Sequence, residues 1–437
     1  MKRNLTKKEF VSIALLLFSM FFGSGNLIFP PMLGHLAGPN MWKALLGFTL
    51  TAIIFPVLGI IAVIKADGPT KLSRRVGPLF AIIYPVLIYL SVGPGIAIPR
   101  NASLAFEMSI GQYFPGNPNI KLWLLVYTLI FFAISLFLSL QPSKLVDRIG
   151  KALTPILLAL IILLFFGAIF KIPVNIGDVD SSYQSPVIKG FIEGYNTMDG
   201  LVSINFGVVI LLTFSNYMIN KESDKIKYTT YASFISGGIL FTIYAMIAYI
   251  GMITSGTYSN ISNGGEVLFK VTNNIFGAFG LIVIGLIFTL ACLTTVVGLI
   301  TSVGQYFAEI TKTQYKTWAI LFTLISLVLA NFGLNEILKF SVPILIALNP
   351  VALVIILLCL FQDVFKFKRI SYRLTIYTTV IIAIIQGLNA FGIKTEIFNN
   401  ILSKLPLYNY SLEWVIPTFI MMLVSLVIGK IFNTEEI

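Results

Sequence analysis

Two polar interruptions, Phe22-Gly23-Ser24-Gly25-Asn26 and Asn196-Thr197-Met198-Asp199-Gly200, lie inside long hydrophobic stretches where a continuous membrane helix would not place them. Unwound backbone in hydrocarbon costs several kcal/mol per unpaired polar group, so it persists only where it lines a cavity or meets a ligand. An opened helix presents carbonyls to a cation from the end of one half and N–H groups to an anion from the start of the next. Gly23 and Gly25 clear side chains from such an opening, and Asn26 adds an amide oxygen. That chemistry suits a zwitterion such as an amino acid. Glycines also let membrane helices pack closely, but Asn26, Pro30 and Pro31 beside them favour the ligand reading.

Asp199 makes the second interruption ionisable. A carboxylate inside a membrane costs about 2.5 kcal/mol or more unless it faces a cavity or a partner. It is therefore a functional group, or a structural one bonded to Arg100 or to helix-end amides. Ala291, Thr294 and Thr295 stand at i, i+3 and i+4, one face of a helix. Two hydroxyls joined by carbonyls of an unwound segment make an all-oxygen site for a small hard cation, and sodium fits. The competing reading is that each threonine bonds the carbonyl one turn back. Arg100 and Glu107 lie two turns apart on one stretch, placed for an outer gate or for an ion pair with another helix, Glu193 being one partner for Arg100.

Nothing points to an enzyme. His35, the single histidine, reads as a residue of a Gly-Pro-containing outer connection without metal-ligand spacing. Cys292 and Cys359 read as apolar packing residues, and no phosphate-binding loop is present. Gly333 and Ser341-Val342-Pro343 read as a helix kink.

The elements that must position these groups are membrane spans. Of 437 residues, 57% are hydrophobic and only 11% charged, against roughly 25% charged in soluble domains. No small-residue cleavage site follows a short apolar run near the N-terminus, since that stretch continues to Pro30, so it reads as a retained first span. Twelve stretches of about 20 apolar residues follow one another: 10–32, 43–64, 78–110, 121–140, 150–170, 188–218, 228–254, 275–309, 315–332, 336–362, 372–393 and 411–432. The chain is thus an all-α polytopic membrane protein.

With the N-terminus in the cytoplasm, 21 of the 30 basic residues fall inside, among them Lys2, Arg3, Lys65, Arg75 and Arg373. That asymmetry orients the stack with both termini cytoplasmic. The formal charge of +12 then reflects topology and anionic lipid, with no nucleic-acid partner. Five spans separate the starts of the two interrupted segments, an odd number, so the units 1–170 and 188–362 would be related by an axis in the membrane plane. The resulting architecture is a 5+5 inverted repeat with broken helices 1 and 6, followed by two extra C-terminal helices in 372–437. The tail near Glu435 and Glu436 carries no readable role.

Phe21 through Pro31, Gly93-Pro94 through Pro99-Arg100 to Glu107, and Tyr195 through Asp199 together resemble the branched-chain amino acid:cation symporters of the amino acid-polyamine-organocation superfamily. The resemblance covers essentially the whole chain. It implies uptake of leucine, isoleucine and valine across a bacterial cell membrane by a sodium-driven, or alternatively proton-driven, carrier of the leucine-transporter-like fold, with no organic cofactor and no obligate protein partner. By the same resemblance, Phe22, Gly23, Ser24, Gly25, Asn26, Thr197, Met198 and Asp199 bind the substrate. Ser19, Phe22, Ala291, Thr294 and Thr295 hold the sodium ion. Phe21, Phe22, Met198, Ile96 and Ala97 are the expected apolar lining, where one methylene is worth about 1–3 kcal/mol and leucine, isoleucine and valine are modestly discriminated. A membrane sensor that binds ligand without net flux is the alternative from another class.

Overall fold

The computed structural model describes residues 5–113, 116–393 and 396–431. Lys2, Arg3, Glu435 and Glu436 lie outside the described residues. Helices account for every predicted span, and no strand occurs among the described residues. In chain order they are α1 (Lys7–Phe21), α2 (Ser24–Ala37), α3 (Met41–Thr49), α4 (Phe55–Lys65), α5 (Pro69–Arg74), α6 (Phe80–Leu90) and α7 (Ala97–Met108). Next come α8 (Ile120–Ser139), α9 (Thr154–Lys171), α10 (Pro186–Asn196), α11 (Asp199–Asn216), α12 (Glu222–Ile253), α13 (Gly264–Phe276) and α14 (Ala278–Thr311). The chain ends with α15 (Tyr315–Ala330), α16 (Leu334–Leu360), α17 (Gln362–Phe365), α18 (Arg369–Ala390), α19 (Glu396–Leu402) and α20 (Val415–Ile431). Among the described residues, nine helical stretches are long and apolar enough to cross a membrane, and α15 and α20 are shorter apolar helices.

Local chemistry sets several boundaries. Thr6 and Glu9 form a reciprocal capping box that starts α1, Thr6 N donating to Glu9 Oε2 at 2.9 Å and Glu9 N to Thr6 Oγ1 at 3.3 Å. Gly333, at φ +89°, stands at the N-cap of α16, and Ser341-Val342-Pro343 lies inside that helix, with Pro343 and Pro350 both internal to it. The 78–110 stretch, expected to be continuous, is interrupted by a wide turn at Ser91–Gly95, where Gly93 leaves helical geometry beside Pro94. His35 sits in the last turn of α2 and not in a connection. α13 was not anticipated, because 13 residues of mixed polarity are too short to read as a span.

Burial sorts the helices. The most apolar window of α11 is 72% buried, against 33% for α8 and 28% for α9. The outer faces of α8 and α9 carry Ile130, Phe137, Phe166 and Phe170 in the open, a surface suited to lipid and not to water. The inner helices approach backbone to backbone through glycine. A Cβ on Gly34 would overlap the Ala248 carbonyl, and one on Gly251 the Pro31 carbonyl, which locks α2 to α12. Gly59 faces Ser203 and Gly207 faces Val63 between α4 and α11 in the same reciprocal way.

Gly251→Ala is therefore expected to cost about 1–3 kcal/mol through overpacking. Gly238→Ala, on the same helix with open space around it, should be neutral or stabilising. Thermal melts of the two variants in detergent check the contrast.

Candidate functional site

Both interruptions are narrower than their sequences suggest. α1 ends at Phe21 and α2 begins at Ser24, so only Phe22 and Gly23 are non-helical. α10 ends at Asn196 and α11 begins at Asp199, leaving Thr197 and a left-handed Met198 at φ +70°. Asp199 is the first residue of a helix and lies outside the unwound pair.

At the first break, the N–H of Gly23 donates to Phe21 O at 2.8 Å and leaves Ser19 O, its partner in a continuous helix, unclaimed. Thr294 Oγ1 at 3.0 Å and Thr295 Oγ1 at 3.3 Å donate to that carbonyl from α14. Thr294 also donates to Ala291 O at 3.0 Å. The next orphan, Ser24 N–H, donates to Asn101 Oδ1 of α7 at 2.9 Å. Gly23 is required by space, since a Cβ there would stand 2.9 Å from Thr295 Oγ1 and 3.1 Å from Asn101 Oδ1.

The second break is sealed in the same manner. Thr197 Oγ1 donates to Gly194 O at 2.8 Å, and Asn349 Nδ2 of α16 donates to Tyr195 O at 3.2 Å. Asn26 ties the breaks together, its Nδ2 donating to Phe21 O at 2.7 Å and to Asp199 Oδ2 at 2.8 Å. Asp199 is 5% exposed, so this amide satisfies part of a carboxylate removed from water.

Two cavities adjoin the breaks. The larger, about 510 Å³, is bounded by Ser24, Gly25, Ile28, Arg100, Glu107 and Asn263, the last being the residue that caps α13. The smaller, about 200 Å³, is bounded by Phe29, Met198, Val342, Leu345 and Ile346, with Arg100 and Asn349 at its polar side. Of the expected substrate residues, Ser24, Gly25 and Met198 face these spaces, whereas Gly23, Asn26, Thr197 and Asp199 hold the breaks together. Phe22 stacks between Phe18 and Tyr244, and Phe21 meets Phe206 edge-on. Neither lines either cavity, nor do Ile96 and Ala97; the apolar residues bounding the two cavities are Ile28, Phe29, Leu104, Met198, Leu334, Val342, Leu345 and Ile346.

Ser19, Ala291, Thr294 and Thr295 converge. Glu193 does not partner Arg100, because it pairs with Lys189 at 2.7 Å on its own helix. Cys292 and Cys359 are both buried thiols. No cluster of three or more metal-binding His, Cys, Asp or Glu occurs among the described residues. Asn101 and Asn349 were missed from sequence, although an asparagine within an apolar stretch is itself the signal that a buried polar group needs a partner.

Residues 6–432 match the family model described as branched-chain amino acid transport protein. The chain is 40% identical over 439 residues to a branched-chain amino acid permease, BraB, of Bacillus subtilis, spanning 99% of this chain and 97% of that one. Among solved structures it is similar to a nucleobase-cation-symport-1 family transporter in a closed conformation with bromovinylhydantoin bound, at TM-score 0.56 and 13% identity over 93% of this chain and 96% of that one. It is also similar to MhsT in complex with L-phenylalanine, at TM-score 0.55 and 17% identity over 98% and 99%. Both neighbours are transporters of the leucine-transporter fold.

Asn101→Ala strands the Ser24 N–H in a buried break, and a loss of about 1–3 kcal/mol is expected. A detergent melt of that variant, matching the parent, would show that the N–H has found another partner.

Proposed function

We propose that this chain, which belongs to the branched-chain amino acid transport protein family, takes up leucine, isoleucine and valine together with sodium by alternating access. The family and its relatives are transport permeases and not enzymes. The observation that carries the coupling is the meeting of Thr294 and Thr295 hydroxyls with the Ser19 carbonyl, at 3.0 and 3.3 Å, directly under the first break. Oxygens that share a hard cation at about 2.4 Å stand roughly 3.4 Å apart when they subtend a right angle. A small rotation of each hydroxyl turns its lone pairs toward the ion in place of its proton. Hydroxyl and carbonyl oxygens are the donors such a cation prefers.

The substrate's aliphatic end belongs in the smaller cavity, among Phe29, Met198, Val342, Leu345 and Ile346, where no carboxylate competes for it. Its charged end belongs beside Ser24 and Gly25. The inverted arrangement of 1–170 and 188–362 is supported by the reciprocal glycine contacts, α2 on α12 matching α11 on α4. These pair each broken span with the second helix of the other unit, and α18 and α20 fall outside the repeat, giving twelve spans. Lys65 at the end of α4 pairs with Asp363 of α17 at 2.6 Å, and Arg75 Nη1 donates to Tyr372 of α18 at 3.0 Å, so these basic segments share one face, which the excess of Lys and Arg assigns to the cytoplasm.

The double variant Thr294→Val/Thr295→Val should raise the sodium concentration for half-maximal leucine uptake about tenfold or more, equivalent to 1.5–3 kcal/mol of lost ion contacts. Serine at both positions should restore it. Unchanged sodium activation in proteoliposomes would remove the site.

A second reading rests on Asp199, a carboxylate held between both breaks by Asn26. Uptake driven by a pH gradient without sodium, and abolished by Asp199→Asn, would make the proton the coupling ion. Sodium-driven uptake that persists in Asp199→Asn would assign the carboxylate to structure alone.

A further inference from the structure

Arg100 stands in α7, one turn beyond the wide turn that interrupts the third span, and is 9% exposed. It bounds both cavities. Among the described residues it makes no ion pair: its Nε has no hydrogen-bond partner, and its Nη1 rests 3.4 Å from Met198 Sδ, a weak acceptor. A guanidinium is always charged, and inside a membrane such a group persists when it meets an anion or lines a wet path. Asp199 accepts from Asn26 at 2.8 Å and forms no ion pair with Arg100 among the described residues, and Glu193 pairs with Lys189 at 2.7 Å. Glu107, two turns along the same helix, bounds the larger cavity without pairing with Arg100.

The usual receptor for an anion at a broken helix is the set of free N–H groups at the start of the second half. Here the first member of that set is occupied. Ser24 N–H, the first of α2, already donates to Asn101 Oδ1 at 2.9 Å. Ser24 Oγ is by contrast buried without a partner, and it faces the same cavity as Arg100.

Building on the amino-acid reading of these cavities, we infer that Arg100 is the receptor for the substrate's carboxylate, with Ser24 Oγ as the second donor. The carboxylate then lies in the larger cavity beside Gly25, and the aliphatic side chain points past Met198 into the smaller one. A planar guanidinium pairs with a carboxylate through two parallel hydrogen bonds and does not do so with a neutral amide. Arg100 is thus a specificity determinant that separates free amino acids from amines and amides bearing the same side chain.

The test is displacement of labelled leucine from purified full-length protein by leucine, leucinamide and 3-methylbutylamine, repeated with chloride replaced by gluconate. The parent should prefer leucine over both carboxylate-free analogues. Arg100→Gln should weaken leucine about 30-fold or more, the expected loss when one partner of a buried charge pair is truncated. It should leave the analogues nearly unchanged, so the preference collapses. Arg100→Lys should retain part of the preference as a point charge, and it carries the test should Arg100→Gln fail to fold. A preference that survives both substitutions, or an equal loss for all three ligands, overturns the assignment. So does chloride competing with leucine and leucinamide alike, which would make Arg100 a site for the free anion. A parent that binds no leucine rejects the amino-acid reading itself, an outcome distinct from intact binding with unaltered preference in the variants.

Discussion

A helix opened in hydrocarbon exposes N–H and C=O groups that no water can satisfy, and every other feature of the centre of this protein follows from that constraint. Two residues are unwound at each break. Around them, side chains from three other helices supply what the missing turns would have supplied: Thr294 and Thr295 from α14, Asn101 from α7, Asn349 from α16. The breaks are therefore joints in a polar network and not flexible gaps. Asn26 makes the two joints one unit, since it donates both to the chain end of α1 and to the first residue of α11.

Close packing by glycine keeps that unit in register. Where α2 meets α12 and α4 meets α11, each helix contributes a glycine whose missing side chain admits its neighbour. Backbones at such distance gain dispersion contacts that lipid chains cannot replace, which is how helices associate without a hydrophobic drive between them. α8 and α9 bury little of themselves and present aromatic and branched side chains outward. The polar centre is thus held by a small, tightly apposed set of helices, and the periphery meets the membrane.

Much of this was legible in the residues. Gly23 to Asn26 and Thr197 to Asp199 violate the chemistry of a membrane span, and a violation in hydrocarbon is visible without any coordinates. The pairing of Thr294 with Thr295 follows from helical periodicity, and the structure adds that both hydroxyls reach Ser19. What stayed hidden depends on contact between distant segments. Phe21 and Phe22 resembled pocket residues because they border the break, but their rings pack on Phe206 and Tyr244, and the cavity beside Met198 is bounded by Val342, Leu345 and Ile346 of α16. Asn101 was overlooked beside the more conspicuous Arg100, because a neutral amide announces less of its cost than a charge does. The interruption at Ser91–Gly95 escaped notice because proline and glycine are tolerated in membrane helices, so composition alone does not mark where one opens.

The groups that seal the first break arrive late in the chain: Ser24 waits 77 residues for Asn101, and Ser19 waits 275 for Thr294. Ribosomes make protein from the N-terminus onward, and domains complete themselves as their parts emerge. Until those partners exist, the residues from 19 to 24 have one way to satisfy their backbone in lipid, the hydrogen bonds of an unbroken helix. The side-chain partners that satisfy the opened first span are therefore complete only once α7 and α14 have been made and packed against it. The functional shape of the earliest helix is in this sense one of the last things the nascent protein acquires, so the quality of its assembly is decided by segments synthesised long afterwards.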